Sequence, residues 1–256
     1  MKRFQIILVS LFILFSVSSI FSLELTSLST APTAGILQKG NASIDAKLFG
    51  NDGVMLGTQV GLVRYFMFGV SYSGENIIGS NVPSWQDRVE FIGKYRFKDE
   101  TERNPAFTIG FDSQGSGRYD SDKKRYDIKS KGFFIVGSKN YIWNGDFGTH
   151  LGLNYSLENE DDDDINIFLG FDKSIGKKTI FICDYDVGIN DYEYGKDDQD
   201  KSKEMLGKGK GYLNASIIFE ITPMVKIKIA INDILANSPS TNKTKREILL
   251  SHFIVF

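Results

Sequence analysis

This sequence contains little cysteine and histidine, and its net charge is close to zero. Its 256 residues include one cysteine, Cys183, and two histidines, His150 and His252. One cysteine forms no internal disulfide and no zinc cluster, and two histidines supply little for a histidine-based metal site, so we expect neither a metal nor a cofactor. A formal net charge of −2 argues against binding to nucleic acid.

Glycine and aromatic residues are abundant. The chain contains 25 Gly, 20 Phe and 11 Tyr, and 24% of its residues are charged. This aromatic content argues against intrinsic disorder, and so many Gly and Phe residues together are unusual for a helical protein. The composition therefore indicates a folded domain that is not built mainly from helices.

The first 22 residues have the pattern of a secretory signal peptide. Lys2 and Arg3 precede an apolar run over 6–15, and serines follow it up to Ser22. A basic start, an apolar stretch of about ten residues and small residues beyond it are typical of a cleaved signal. An uncleaved anchor is the alternative, since the apolar stretch over 4–22 could just span a bilayer. We expect a signal peptide over 1–22 and one domain over 23–256.

Beyond residue 40 the sequence alternates with period two, which predicts β-strands. One face of each segment is aliphatic or aromatic, and the other holds Gly, Asn, Ser and charged residues. The segment over 131–140 is the least regular, because its four apolar residues 133–136 are consecutive. The twelve predicted strands lie near 42–48, 54–62, 66–72, 88–97, 107–112, 131–140, 147–157, 165–172, 181–188, 212–219, 225–232 and 246–256.

Three features favour a transmembrane barrel over a soluble sandwich. An apolar face opposite a small and polar face is typical of lipid outside and a polar lumen inside. Long connections tend to alternate with tight turns, as in outer-membrane barrels. The chain ends on Phe256, with Ile248, Leu250 and Ile254 on the same face. Such an end resembles the signal that the barrel-assembly machinery of outer membranes recognises, although His252 interrupts it.

The predicted fold class is all-β: a transmembrane antiparallel β-barrel of about twelve strands. An even strand number places both ends in the periplasm, and closure removes the unpaired edges that lipid does not tolerate. We therefore expect the protein in the outer membrane of a diderm bacterium, in contact with its lipids and lipopolysaccharide. A twelve-stranded barrel should have a narrow lumen.

Charged residues on the lumen face are the candidates for a selectivity constriction. The densest run predicts a basic wall, and two aspartates on a later strand could form an acidic wall. A solvated interior of mutually paired charges is the alternative. The constriction candidates are Arg88, Glu90, Lys94, Arg96, Asp112, Asp184 and Asp186.

An enzymatic function is not expected from the spacing of catalytic residue types. His150 is predicted to face the lumen and His252 the lipid, and neither lies at a spacing that matches a known hydrolase site. Cys183 is predicted on the lipid face as a small apolar residue. The analysis of the sequence therefore predicts a protein that is not an enzyme.

Two loops carry strong local charge. Residues 158–164 hold six acidic residues without the spacing of a dedicated calcium loop. Residues 118–131 hold six basic residues, which could contact anionic lipopolysaccharide or an acidic polymer. A plain surface loop is the alternative in both cases.

Four short stretches resemble the YjbH-like family of outer-membrane barrels, which is associated with exopolysaccharide operons. They are Thr-Ala-Pro-Thr-Ala-Gly at 30–35, Gly-Glu-Asn-Ile-Ile-Gly at 74–79, Gly-Phe-Asp-Ser-Gln-Gly at 110–115 and Gly-Tyr-Leu-Asn at 211–214. The resemblance implies a role in polysaccharide export or surface-layer biogenesis. Strand parity places Glu75, Asn76, Gln114 and Tyr212 near the outer rim, where they could bind polysaccharide; packing of the rim is the alternative.

Two functions remain open from the sequence. The first is a narrow porin-like channel for small polar solutes or saccharides. The second is a plugged structural barrel in exopolysaccharide or envelope biogenesis. They differ in whether the lumen is open or filled.

Overall fold

The computed structural model describes residues 24–121, 123–158, 164–191, 207–238 and 244–256, and it confirms the predicted fold class. The expected signal peptide over 1–22 lies outside these residues. The strands are β1 (Asn41–Phe49), β2 (Gly53–Val63), β3 (Phe66–Glu75), β4 (Ser84–Trp85), β5 (Glu90–Lys98), β6 (Ala106–Asp112), β7 (Ser116–Asp120), β8 (Arg125–Ile128), β9 (Gly132–Ile142), β10 (Asp146–Tyr155), β11 (Asn166–Ile175), β12 (Thr179–Asp186), β13 (Tyr212–Thr222), β14 (Val225–Asn232) and β15 (Lys245–Val255).

Twelve of these strands close into an antiparallel barrel. The order around it is β1, β2, β3, β5, β6, β9, β10, β11, β12, β13, β14 and β15, and β15 pairs with β1 through registers such as Ser43↔Phe253. Every barrel strand therefore has two neighbours, so no ladder of backbone groups faces the lipid unpaired. A short 3-10 helix spans Ile189–Asp191, and no helix within the described ranges is long and apolar enough to span a membrane.

The outer wall of the barrel is apolar. Leu56, Phe133 and Leu151 are 59%, 57% and 60% exposed, as expected for side chains that face lipid. Cys183 is partly exposed. The irregular segment over 133–136 obeys the same alternation, with residues 133 and 135 outside and residues 134 and 136 buried inside.

The two ends of the barrel differ in their connections. Turns at 64–65, 99–105, 143–145, 176–178 and 223–224 form the short-turn end, where the chain also enters β1 and leaves β15. Connections at 76–89, 113–131, 156–165, 187–211 and 233–244 form the long-loop end, together with the tight turn at 50–52. This arrangement matches the expected alternation of loop lengths.

Residues 24–40 fold into the lumen, and we call them the plug. The segment turns back on itself inside the barrel, where Leu28 N donates to Ala31 O at 2.8 Å and Ser27 forms a bridge with Pro32. Leu28, Ala31 and Ala34 are fully buried. The expected narrow lumen is thus filled by the chain's own N-terminal segment.

A second inward element closes the long-loop end. Strands β7 and β8 pair as a two-stranded hairpin within the connection 113–131. Arg125 and Tyr126 of this hairpin are buried, at 1% and 0% exposure. The basic connection therefore folds partly into the barrel mouth, and its expected contact with lipopolysaccharide stays a prediction.

Candidate functional site

Two basic residues of β5 hold the plug at the short-turn end. Lys94 is fully buried, and its ammonium donates to Thr26 O, Thr33 O and Gly35 O at 2.9, 2.7 and 2.5 Å. Arg96 donates from Nε to Ala34 O at 3.1 Å and pairs with Glu24. Charge-assisted hydrogen bonds of this kind are stronger than neutral ones, so these cations fix the backbone of the plug.

Asp184 of β12 holds the tip of the plug. Its carboxylate accepts hydrogen bonds from Thr30 N at 3.0 Å and from Ala31 N at 3.4 Å. Asn214 of β13 donates to the same carboxylate at 3.2 Å and to Thr30 Oγ1 at 2.9 Å. The buried charge is thereby satisfied by donors of the plug, as a carboxylate away from water requires.

An apolar patch on the lumen face packs against the plug. Leu28, Ala31 and Ala34 form one buried cluster with side chains of β6, β9, β11, β12 and β13. We call the lumen face of these five strands, together with β10, the packed half. The wall residues of the cluster are Ala106, Phe134, Val136, Phe168, Ile182 and Ile218.

A glycine makes room for the leucine of the plug. A Cβ atom at Gly170 of β11 would lie 2.5 Å from Leu28 Cδ1 and 2.7 Å from Cys183 O. Neither is a normal van der Waals separation, and the second neighbour is backbone. The side chain of Leu28 therefore occupies space that only a glycine at this position leaves free.

Ser138, His150 and Asp172 form a chain of hydrogen bonds under the plug. Ser138 Oγ lies 2.7 Å from His150 Nδ1, and His150 Nε2 lies 2.8 Å from Asp172 Oδ1. Ala34 N donates to Ser138 Oγ at 2.7 Å. These residue types form the nucleophile, base and acid of many hydrolases, but here the serine oxygen is covered by the plug and fixes its backbone.

Glu90 joins the hairpin to the barrel wall. It accepts hydrogen bonds from Arg88 Nε at 2.5 Å and from Tyr126 Oη at 2.9 Å. Glu158 Oε2 accepts one from Tyr126 N at 2.9 Å, and burial raises the pKa of the Glu158 carboxyl above its ordinary value. Arg88 Cζ lies 4.4 Å from the ring centre of Tyr119.

The opposite side of the hairpin is held by acidic groups of the long-loop end. Arg125 Nη2 donates to Asp191 Oδ1 at 2.7 Å, and the hydroxyl of Tyr212 donates to the other oxygen of the same carboxylate. Lys131 pairs with Asp186. Burial raises the pKa of Asp191, which lies beyond the end of β12.

A cavity of about 200 Å³ separates the plug from the hairpin. Asp112 and Gln114 line it, and Gln114 N donates to Asp112 Oδ1 at 2.9 Å. Ser71 Oγ donates to Gln114 Oε1 at 2.9 Å. Lys47 and Glu247, whose charged atoms lie 3.6 Å apart, are also in its wall.

The predicted outer-rim residues divide between two places. Glu75 and Asn76 line a cleft of about 420 Å³ at the long-loop end, beside Trp85 and Tyr119. Gln114 and Tyr212 instead face the interior cavity, and Tyr212 is only 2% exposed. The structure therefore does not bring the four residues together, and a role in saccharide binding stays a prediction.

The predicted constriction residues all lie on the lumen side, but they do not line an open pore. Lys94, Arg96 and Asp184 bind the plug. Arg88 and Glu90 bind the hairpin, and Asp186 pairs with Lys131. Asp112 and Asp186 are the two of the seven that line the central cavity. Their role in solute selection stays a prediction.

Reasoning from the sequence did not predict the plug, although the sequence carries two indications of it. The stretch over 30–35 is rich in small residues and sits before the first strand, and Phe134, Phe168 and Ile182 place large apolar side chains on a face expected to be polar. Apolar lumen residues require an apolar partner inside the barrel.

No protein-family model and no curated protein matches this chain, but solved barrel structures are similar to it. A structure described as "KdgM porin" matches 83% of this chain and 98% of its own, with a TM-score of 0.50 and 9% identity. The outer membrane protein Omp33 of Acinetobacter baumannii matches 84% of this chain and 97% of its own, with a TM-score of 0.42 and 9% identity. At such identity the likeness shows the fold alone. The chain has a porin-like barrel fold.

The prediction that the chain is not an enzyme is corrected. The similar structures include the outer membrane phospholipase of Salmonella typhi, over 84% of this chain and 90% of its own, with a TM-score of 0.42 and 9% identity. A barrel fold alone does not settle whether a chain is an enzyme. Sequence spacing also failed to show that Ser138 and His150 are direct cross-strand partners. Within the described ranges, no group of three or more His, Cys, Asp or Glu side chains is placed to hold a metal ion.

Proposed function

We propose that this protein is an outer-membrane channel for small polar solutes or saccharides, and that the plug keeps it closed at rest. The observation that carries the proposal is the plug itself: a segment with polar backbone contacts fills a lumen whose wall is otherwise that of a porin-like barrel. The apolar outer wall supports placement in a membrane.

The attachment of the plug supports its release. Its contacts with the wall are made by side chains such as Lys94 and Asp184, not by strand ladders. Its backbone contacts with the barrel strands in the described chain include the Lys39↔Gly61 bridge and the hydrogen bonds of Gly40 with Gly61 and Phe256, all next to β1. Residues 24–37 can thus leave through the short-turn end without breaking any strand pairing of the barrel.

Solute uptake into liposomes tests this proposal. The chain without residues 1–22 is refolded and reconstituted, and a second protein has residues 24–36 replaced by Gly and Ser. We expect the intact protein to exclude a monosaccharide and the variant to admit it. Replacing the exposed turn 99–104 in the same way is the matched control, and it should leave the barrel closed.

Equal exclusion by the folded variant and the intact protein would reject the channel. Folding of each protein is verified by its circular dichroism and by heat-dependent gel mobility. Admission of the sugar by the intact protein would show instead that the plug does not close the lumen.

A second candidate function is a permanently plugged barrel in exopolysaccharide or envelope biogenesis. The filled lumen supports it, and so does the resemblance to the YjbH-like family, because one of the stretches that carry this resemblance, residues 30–35, lies in the plug. Loss of exopolysaccharide from a deletion strain, restored equally by the intact gene and by the variant without plug contacts, would favour this function over transport.

The proposed location also implies lipid partners and an assembly route. Phe256 is 77% exposed, while its backbone N donates to Gly40 O at 2.8 Å, so its ring is available to the barrel-assembly machinery. Removal of Phe256 should lower the amount of folded barrel in the outer membrane. Unchanged assembly of that variant would reject this partner.

A further inference from the structure

The plug packs closely against the packed half and makes fewer contacts with the other side of the lumen, where Ser29 Oγ donates to Asn232 Oδ1 of β14 at 2.7 Å. On the other side lie β14, β15, β1 and β2, whose lumen face we call the open half. A second cavity of about 80 Å³ lies here between the plug and the wall. Its lining reaches Glu24 and Phe253 at the short-turn end.

This second cavity lies next to the first. At one level of the barrel both cavities are lined by a common set of residues from the plug and from the open half. Together they extend from Lys131 and Tyr212, below the hairpin, to Glu24 and Phe253. The shared residues are Thr26, Ser27, Asp45, Gln59, Lys228 and Leu249.

Opposite charges lie where the cavities meet. Asp45 of β1 accepts hydrogen bonds from Ser251 Oγ at 2.5 Å, Ser43 Oγ at 3.1 Å and Gln59 Nε2 at 3.3 Å. Lys228 of β14 donates to Leu28 O of the plug at 2.8 Å. Both residues belong to the wall of the open half, and Lys228 also reaches the plug, so opposite charges line the same level of the crevice, which we call the neck.

An unsatisfied polar atom also marks this neck. Gln59 Oε1 is buried and has no hydrogen-bond partner among the residues that the structure describes. Buried polar atoms of this kind are normally satisfied by protein or by ordered water. A polar crevice with such an atom suits water, whereas the apolar cluster on the packed half does not.

We propose that the crevice between the plug and the open half conducts water and small monovalent ions while the plug is in place, with Asp45 and Lys228 setting the ion preference. The inference rests on the proposed placement of the barrel in the outer membrane. It assigns the resting protein a substrate class different from the solutes that pass after plug release. The smaller cavity, of about 80 Å³, has room for a few water molecules beside these polar groups.

Reversal potentials in planar bilayers under a KCl gradient test the proposal. We expect the refolded protein to carry a small current with the plug in place. Asp45→Asn should lower the ratio of potassium to chloride permeability about fivefold, which corresponds to about 1 kcal/mol. Asp146→Asn is the matched control: it makes the same change to an exposed carboxylate of β10 that lines neither cavity, and it should leave the ratio unchanged.

Lys228→Met gives an independent check that does not depend on the folding of the Asp45 variant. It should raise the potassium-to-chloride ratio, the opposite direction to Asp45→Asn. If the intact protein carries no current while the variant without plug contacts does, conduction through the crevice is rejected but the proposed channel is not. If neither protein carries a current, both proposals are rejected. Equal shifts in Asp45→Asn and Asp146→Asn would overturn the assignment of the neck.

Discussion

The packed half and the open half of the lumen share one strand pattern but contact the plug differently. On the packed half, Phe134 and Phe168 enclose Leu28 in an apolar cluster. On the open half, Asp45 and Gln59 line cavities, and the plug is hydrogen-bonded to two side chains of β14, Lys228 and Asn232. The difference indicates that a plug can be held firmly without filling the lumen evenly.

Of the substitutions considered, Lys94→Met should weaken the binding of the plug in the lumen most. The ammonium of Lys94 satisfies three plug carbonyls in a fully buried position. Its removal leaves these acceptors without a partner, and we expect plug docking to weaken by about 4 kcal/mol. Monosaccharide uptake into liposomes should then approach that of the protein without plug contacts. Uptake at the level of the intact protein would show that the plug is not held from β5.

Leu28→Ala should have the next largest effect. Leu28 is fully buried in the cluster of the packed half, and truncation of such a leucine costs about 3 kcal/mol. We expect faster proteolytic cleavage within the plug of the lipid-embedded protein. Leu48→Ala on the outer wall, where Leu48 is exposed, is the control and should leave the cleavage rate as it is.

A pair of glycine substitutions compares the two halves directly. Gly170→Ala on the packed half forces Leu28 or the β12 backbone to move, and we expect a loss of about 2 kcal/mol in the free energy of unfolding. Gly57→Ala on the open half meets no atom closer than 3.4 Å, so its effect should stay within about 0.5 kcal/mol. Urea unfolding in lipid vesicles measures both, and equal losses would remove the distinction between the halves.

The stability of hairpin docking at the long-loop end, above both halves, should depend weakly on pH. Burial raises the pKa of Glu158, so the folded state binds its proton more tightly than the unfolded state does. The protonated form therefore stabilises hairpin docking, and this gain is lost as the pH rises from the ordinary glutamate pKa of about 4.3 through the raised value. Hydrogen exchange of the Tyr126 amide should slow relative to its intrinsic rate toward the acidic end of this range. Glu158→Gln should reduce this dependence to the part that comes from Asp191, whose pKa is also raised by burial. An unchanged dependence in this variant would assign it to another group.

The barrel could be predicted because lipid imposes a simple rule on the sequence. Side chains that face lipid are apolar, and successive residues of a strand point to opposite faces of the sheet. Positions such as Leu151 and Leu153 therefore identify the lipid-facing wall without knowledge of which strands pair. Twelve strands and their alternating connections follow from this rule. The loop hairpin β7–β8 did not follow, because it obeys no lipid constraint.

The interior could be predicted only in part. The lumen side of Lys94 and Asp184 follows from strand parity, but their partners do not, because Thr30 and Gly35 lie far from them in the chain. The contact of Ser138 with His150 depends on the register of β9 and β10. Phe134, Phe168 and Ile182 were the local indications that the lumen is not uniformly polar.

Amide hydrogen exchange of the intact protein in lipid tests the central claim most directly, since the plug either lies in the lumen or does not. Thr30 N and Ala31 N donate to Asp184, and Ala34 N donates to Ser138. We predict that these three amides are protected to a degree comparable with the amides of the barrel strands. Exchange of all three at the rate of an unstructured chain would contradict a plugged resting state.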